Sequence, residues 1–177
     1  MKKFFIDGKT LELEEKDLPM LIHGEDHAGA SFYTISLIAN LFLAGSKILV
    51  LCGYPMAEEQ FRKQVGDFKG EINFYTKEKV LGFKNRVSSI ENIDEYVVLL
   101  KNVELFDKEI IDFVLNKKKF IISGDFNKCA FKNSVLEKQF KTKIFFSPIS
   151  GIEIPMLEKY EGFFISDSLK GIIKVEV

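Results

Sequence analysis

The chain is poor in several things that would have given it an easy identity. It has no tryptophan, 2 histidines and 2 cysteines in 177 residues, and its formal net charge is −1. Cys52 and Cys129 form no metal-binding spacing, and neither has a histidine close in the pattern, which leaves no thiol nucleophile to argue for. Each is read at the end of an expected strand, so buried free thiols in a reducing, cytoplasmic setting are expected. The small net charge gives no global electrostatic footprint for nucleic acid. Long apolar runs are missing too. The stretch Met1–Ile6 is too short for a signal peptide, and the apolar segment 32–44, interrupted by Ser36 and Asn40, is too short to cross a bilayer, so no membrane association is expected. There is no internal repeat, linker or low-complexity run. The 18 phenylalanines, beside many lysines and isoleucines, reflect AT-rich coding as readily as function.

What is there is the composition of a globular domain, with 46% hydrophobic and 29% charged residues. The length suits a single domain with a real core. Asp7-Gly8 between two short β-prone runs predicts a hairpin, so residues 1–18 read as an N-terminal β-ribbon ahead of the main sheet. A core over 19–147 follows, and 148–177 close the chain with a β-hairpin around Asp167-Ser168. Within the core, apolar strands are expected at 20–23, 47–52, 71–75, 96–100, 120–123 and 143–146. Between them, helices are expected at 30–44 with Gly45 as C-cap, at 56–65 after Pro55, near 86–93, from the cap Asp107 to about Asn116, and near 132–140. Buried strands alternating with amphipathic helices predict an α/β fold, a mostly parallel sheet with helices on both faces. Its site should lie beyond the carboxyl ends of the strands.

One stretch falls at that place. Gly24-x4-Gly29-x-Ser31 has the spacing of the phosphate-binding loop, G-x-x-x-x-G-K-S/T, with Ala30 where lysine should stand. Glycines bring backbone N–H groups close to an anion, and the following helix adds its positive end. The ammonium is lost, and Glu25 and Asp26 put negative charge where phosphate charge would sit. His23 and His27 flank the loop, with Glu25 or Asp26 as a third metal ligand on paper, but neighbours in one short loop rarely converge on one ion. The lysine-rich runs 116–119 and 138–143 lack interleaved aromatics and read as solvated faces, leaving nucleic acid without support from charge.

Together these segments resemble the RecA-like P-loop ATPases, from about residue 18 onward. Leu21–Ser31 matches the phosphate loop except at Ala30, and Lys47–Val65 resembles the second strand and acidic helix of the RadA and KaiC branch. Tyr96–Asn102 sits where that family has four apolar residues and then a magnesium-associated aspartate. Here that place holds Lys101, and Asn102 stands where a catalytic glutamate is often found. Phe120–Asp125 matches the next core strand, with Asp125 and Asn127 at its tip. The resemblance implies candidate binding residues Gly24, Glu25, Asp26, His27, Ala28, Gly29, Ala30, Ser31, Lys101 and Asp125, with no catalytic or metal residue assigned. Lys101 is either a solvated lysine at a strand end or a replacement for the missing cation, placed beside the loop acids. Asp125 is either a base or a turn cap.

A second resemblance runs to thymidine kinases, through Lys117–Phe131. Asp125-Phe126 and Phe131 match the loop of that family, while its arginine, glycine and proline do not, and its zinc ribbon would need four cysteines. The RecA-like resemblance implies a catalytically degenerate ATPase fold acting as a binding or assembly module, with a protein partner or homo-oligomer, in the setting of DNA recombination, replication or repair. The alternative is an active ATP-binding protein or nucleotide kinase with a rewired phosphate site. No cofactor is required by the first reading; ATP or another phosphate or anion is the ligand of the second.

Overall fold

The structure is a computed structural model, which describes residues 1–26, 28–77, 85–86 and 89–175. One mixed sheet of ten strands runs through it, in the order β2-β1-β10-β9-β8-β3-β7-β6-β4-β5. The strands are β1 (Phe4–Ile6), β2 (Lys9–Leu11), β3 (Met20–His23), β4 (Ile48–Cys52), β5 (Ile72–Thr76), β6 (Val97–Lys101), β7 (Phe120–Gly124), β8 (Thr142–Phe145), β9 (Gly162–Ser166) and β10 (Lys170–Val175). From β8 to β5 every neighbouring pair is parallel; from β8 outward to β2 every pair is antiparallel.

The helices are α1 (Ala30–Leu43), α2 (Met56–Val65), α3 (Lys108–Leu115) and α4 (Lys132–Leu136), among the described residues. They cover both faces, as a parallel sheet requires. On one face Ile35, Ile38 and Phe42 of α1 and Phe61 of α2 pack with Ile22, Val50, Leu99 and Ile121. On the other, Ile111 and Val114 of α3 and Val135 of α4 pack with Leu21, Leu49, Leu100 and Ile122. The strands β4 and β6 are buried at every position, which explains why they read as continuous apolar runs rather than alternating ones. None of the helices, among the described residues, is long and apolar enough to cross a membrane.

Local chemistry sets the element ends. Ala44 caps α1, and the N–H groups of Gly45 and Ser46 return to the carbonyls of Phe42 and Leu41, at 2.9 and 3.0 Å. That crossed pair is the Schellman closure, and Gly45 accepts its left-handed φ of 99°. Asp107 Oδ1 accepts from Ile110 N–H at 3.1 Å and starts α3. Asp7 and Gly8 both have positive φ, as the expected two-residue hairpin needs.

Three expectations change. The N-terminal hairpin is not ahead of the main sheet but extends it, β1 pairing antiparallel with β10. The helix expected near 132–140 stops at Leu136. Phe140 packs edge-on against Phe120 and Lys141 N–H bonds the Pro19 carbonyl, so the chain must be extended there to enter β8. The helix expected near 86–93 falls partly on 87–88, outside the described residues, and Ile93–Glu95 is a 3₁₀ turn. The closing hairpin forms; residues 176–177 at its expected end lie outside the described set.

Candidate functional site

The parallel strands β3, β4, β6 and β7 end at one edge of the sheet, where a cleft of about 820 Å³ opens. Pairing register places Thr76, Cys52, Lys101 and Ser123 side by side, on β5, β4, β6 and β7 in turn. Ile121 and Leu99 belong to the α1 side of the core, so two-residue alternation puts Ser123 and Lys101 on that side as well. Apolar strands therefore terminate in a polar row facing α1.

The loop between β3 and α1 is tightly held. Gly24 N–H bonds the Gly124 carbonyl at 3.2 Å, Glu25 N–H bonds Ser147 Oγ at 2.9 Å, and Ala28 N–H turns back to the Glu25 carbonyl at 3.2 Å. Three loop N–H groups are thus spent within the protein. Gly29 has φ of 98° and lies under Tyr160, so a side chain there would be both strained and crowded. No side chain caps α1, which leaves the first-turn N–H groups of Ala30, Ser31 and Phe32 without intrahelical acceptors. Ala30 is buried, and its Cβ fills the space a side chain on Gly24 would need. Glu25, Asp26, Gly29, Ala30 and Ser31 all line the cleft, and Ala28 packs against the core. His27 lies outside the described residues.

Lys101 differs from both sequence readings. It is 7% exposed, so it is not a solvated lysine. It also does not sit on the strand beside the phosphate-like loop, because β7 lies between β3 and β6. Two strand spacings separate it laterally from Gly24, about 10 Å. Its ammonium donates weakly to Asn102 Oδ1, at 3.5 Å, and makes no ion pair among the described residues. Burial pulls its pKa below the ordinary lysine range, against the smaller upward pull of Cys52 and Glu104.

Of the loop acids, Asp26 is balanced by another lysine. Lys128 Nζ reaches Asp125 Oδ2 at 3.3 Å and Asp26 Oδ2 at 3.7 Å. Asp125 Oδ1 also accepts from Asn127 N–H at 3.0 Å, the local turn geometry expected of an aspartate after Ser-Gly. Asp125 N–H in turn donates to Glu104 Oε2 at 3.0 Å. Gly124 is required at this junction, since a Cβ there would stand 2.3 Å from Glu104 Oε2 and 2.8 Å from Val103 N. Asn127 ties the Asp125 loop to the chain after β8, donating to Pro148 O and accepting from Ser150 N–H.

His23 is a structural residue. Phe126 N–H donates to its Nδ1 at 3.1 Å, which places the ring proton on Nε2, facing Pro148 O at 3.1 Å and Ser147 Oγ at 3.2 Å. Fully buried, it is held neutral, its pKa lowered by burial. Among the described residues no cluster of His, Cys, Asp and Glu could hold a metal ion. Lys128, Glu104, Ser147 and Tyr160 were not singled out by the sequence. Their only signal was position after a core strand, and Tyr160 comes from the segment before the final hairpin, which carries no motif.

No protein-family model matches the chain, and no curated protein matches it in sequence. Solved structures do. The chain superposes on ATPases 2 and 3 of EssC from Geobacillus thermodenitrificans with a TM-score of 0.63 at 14% identity, covering 98% of this chain and 40% of that one. It superposes on ATPases 2 and 3 of EccC from Thermomonospora curvata, in complex with a signal sequence peptide, with a TM-score of 0.60 at 9% identity and the same coverages of 98% and 40%. At such identity the likeness is one of fold: the chain has a P-loop NTPase-like α/β fold, and it spans 40% of the length of those chains.

Proposed function

We propose that this chain is a catalytically degenerate, RecA-like ATPase-fold protein that serves as a binding or assembly module. The supporting observation is the charge pattern of the cleft floor. An alanine heads α1 where a P-loop ATPase carries lysine, and a buried lysine ends β6 where the family carries the magnesium-associated aspartate. In-line phosphoryl transfer is catalysed almost wholly by positioning and charge neutralisation. Removing the lysine and replacing the metal's anchor by a cation takes away both neutralising groups at once. The partner in this reading is a protein segment or a second copy of the chain. The EccC structure, which holds a signal sequence peptide, is a precedent for an ATPase fold engaging a peptide. A role in DNA recombination, replication or repair is supported only by the RecA-like resemblance.

The second reading is an ATP-binding protein or thymidine kinase-like enzyme, favoured by Asp125, which lines the cleft 5% exposed. Thermal-shift titrations with ATP, GTP and thymidine, with and without magnesium, separate the two. The first reading expects no magnesium-dependent shift from any of them. A shift with ATP that requires magnesium, or with thymidine plus magnesium-ATP, supports the second and overturns the first.

A further inference from the structure

The two edges of the sheet differ. β2, at one end, has three residues and opens on Lys9, the short, charged kind of edge that resists further pairing. β5, at the other end, is Ile72-Asn73-Phe74-Tyr75-Thr76, with neither charge nor proline inside it. Its inner side belongs to β4. Ile48 N–H bonds the Glu71 carbonyl at 2.9 Å, and the register runs without interruption from Ile48 opposite Ile72 to Cys52 opposite Thr76. Backbone groups alternate in direction along a strand, so those of Asn73 and Tyr75 turn toward β4 and those of Ile72, Phe74 and Thr76 turn outward. Among the described residues nothing bonds these outward groups.

The outward groups match a second copy of themselves. With β5 of another copy laid antiparallel, Phe74 opposite Phe74, Ile72 of each stands opposite Thr76 of the other. These are then hydrogen-bonded rungs, and every outward N–H meets an outward carbonyl. A slip of one residue would oppose outward groups with inward ones. The same register puts Glu71 of each copy opposite Lys77 of the other, and unlike charges on facing positions stabilise an antiparallel pair. Both residues are exposed. Glu71 accepts from the Tyr96 hydroxyl and lies 3.4 Å from Lys47 Nζ, and Lys77 donates to the Leu105 carbonyl. A two-fold axis through the Phe74 rung, normal to the sheet, keeps the α1–α2 face of both copies on one side. On that face the rings of Phe68, Phe42, Phe61 and Phe74 follow one another with centroids 5.4, 5.2 and 5.5 Å apart, and Phe68 is 48% exposed. Pairing joins two such aromatic rows at Phe74. We propose that two copies of this chain pair through β5, antiparallel about a two-fold axis at Phe74, so that their sheets run on as one. The contact closes at two copies, because each β5 edge is used once. The inference rests on the binding-module reading and gives it a partner, a second copy, and a surface.

The test compares the wild-type chain, Glu71→Lys, Lys77→Glu and an equimolar mixture of the two variants, each variant checked by circular dichroism. A five-residue edge is smaller than a standard interface of about 20–30 residues a side, so sedimentation equilibrium should span about 10 μM to 1 mM. Wild type should pass from monomer to dimer in that range. Each variant alone sets like charges opposite one another at both ends and should dimerise about 10-fold more weakly. Mixed, the two restore unlike charges at both ends, and a heterodimer of wild-type strength should return. A second measurement needs no variant. In amide exchange followed by NMR, the N–H groups of Ile72, Phe74 and Thr76 should be open in dilute wild type and protected in concentrated wild type, while those of Asn73 and Tyr75 are protected in both. A monomer throughout the range, a mixture no tighter than its parts, or a dimer whose three outward amides stay open would each overturn the proposal. So would species that grow beyond the dimer, or protection of those amides in the monomer, which would mean that another part of the chain covers the edge. ATP turnover would instead overturn the binding-module reading and leave the edge contact standing, so the two failures are distinguishable.

Discussion

A lysine in a core is retained against its own desolvation. Taking an ammonium out of water costs several kcal/mol unless it is paired, and among the described residues Lys101 has a 3.5 Å contact with Asn102 and the weaker pull of Cys52 and Glu104 to offset that cost. Lys101→Met keeps the stem and removes the charge, so it should stabilise the free protein at neutral pH by about 1–3 kcal/mol in urea melts. The pH dependence has a definite sign. The folded pKa lies below the unfolded value of about 10.4, so the unfolded chain binds more protons between the two, and wild-type stability rises with pH across that window. The stability gap between variant and wild type should therefore narrow as pH approaches 10. A gap that stays constant would mean that the lysine is not desolvated. His23 has the same sign lower on the scale. Its neutral form is the folded one, so stability should be full above about pH 6.5 and fall as the unfolded chain gains a proton below it. His23→Leu should flatten that slope while costing about 1–3 kcal/mol, because the buried Phe126 N–H loses its acceptor while Pro148 O keeps Asn127 Nδ2. Melts between pH 5 and 8 check both parts. The sequence could name Lys101 as the departure from the ATPase pattern. It could not reveal the burial, because that depends on α1 and α2 roofing a row of residues drawn from four strands.

Elements were legible where one physical signal set them. Met20–His23 and Met56–Val65 have the expected bounds, since an apolar run between polar punctuation and a helix between Pro55 and Gly66 leave little freedom. The 3₁₀ turn Val103–Leu105 was not foreseen. It starts from Asn102 with φ of 67° and buries Val103 so that Glu104 can reach the Asp125 N–H, a contact set by tertiary packing rather than by local pattern. The strand order was invisible for the same reason. Sequence places the β6 strand after the phosphate-like loop but does not say that β7 will be inserted between them. The element ends allow a graded test. Asp107→Ala removes one exposed cap and should cost about 1 kcal/mol. Gly124→Ala forces a Cβ against Glu104 and Val103 at a positive φ, and should cost more than the cap does. Equal urea midpoints for the two variants would contradict the crowded junction.

At the scale of the molecule, one sheet carries two kinds of order. Its parallel half ends in the cleft, and its antiparallel half, from β9 to β2, closes the other side and brings Tyr160 over Gly29. The fold class could be read from the alternation of strands and helices, but the extension of the sheet by the N-terminal hairpin could not, because pairing partners as distant in sequence as Phe4 and Val175 leave no local trace. If the ATPase framework is intact and only its charges have changed, exchanging them should restore the older behaviour. The double variant Ala30→Lys, Lys101→Asp should gain magnesium-dependent ATP binding by calorimetry, and a folded double variant that binds nothing would mean that the committed N–H groups of Gly24, Glu25 and Ala28 block the loop. The central claim is that an ATPase fold here works without hydrolysis. It is met most directly by measuring phosphate release from magnesium-ATP with the purified wild-type chain. Loss of even one electrostatic stabiliser typically costs about 10²–10³ in rate, and two are missing, so release should not exceed the no-protein background. Turnover of about 1 per second or faster, at the low end of ordinary enzymes, from a preparation free of contaminating ATPase would contradict the account.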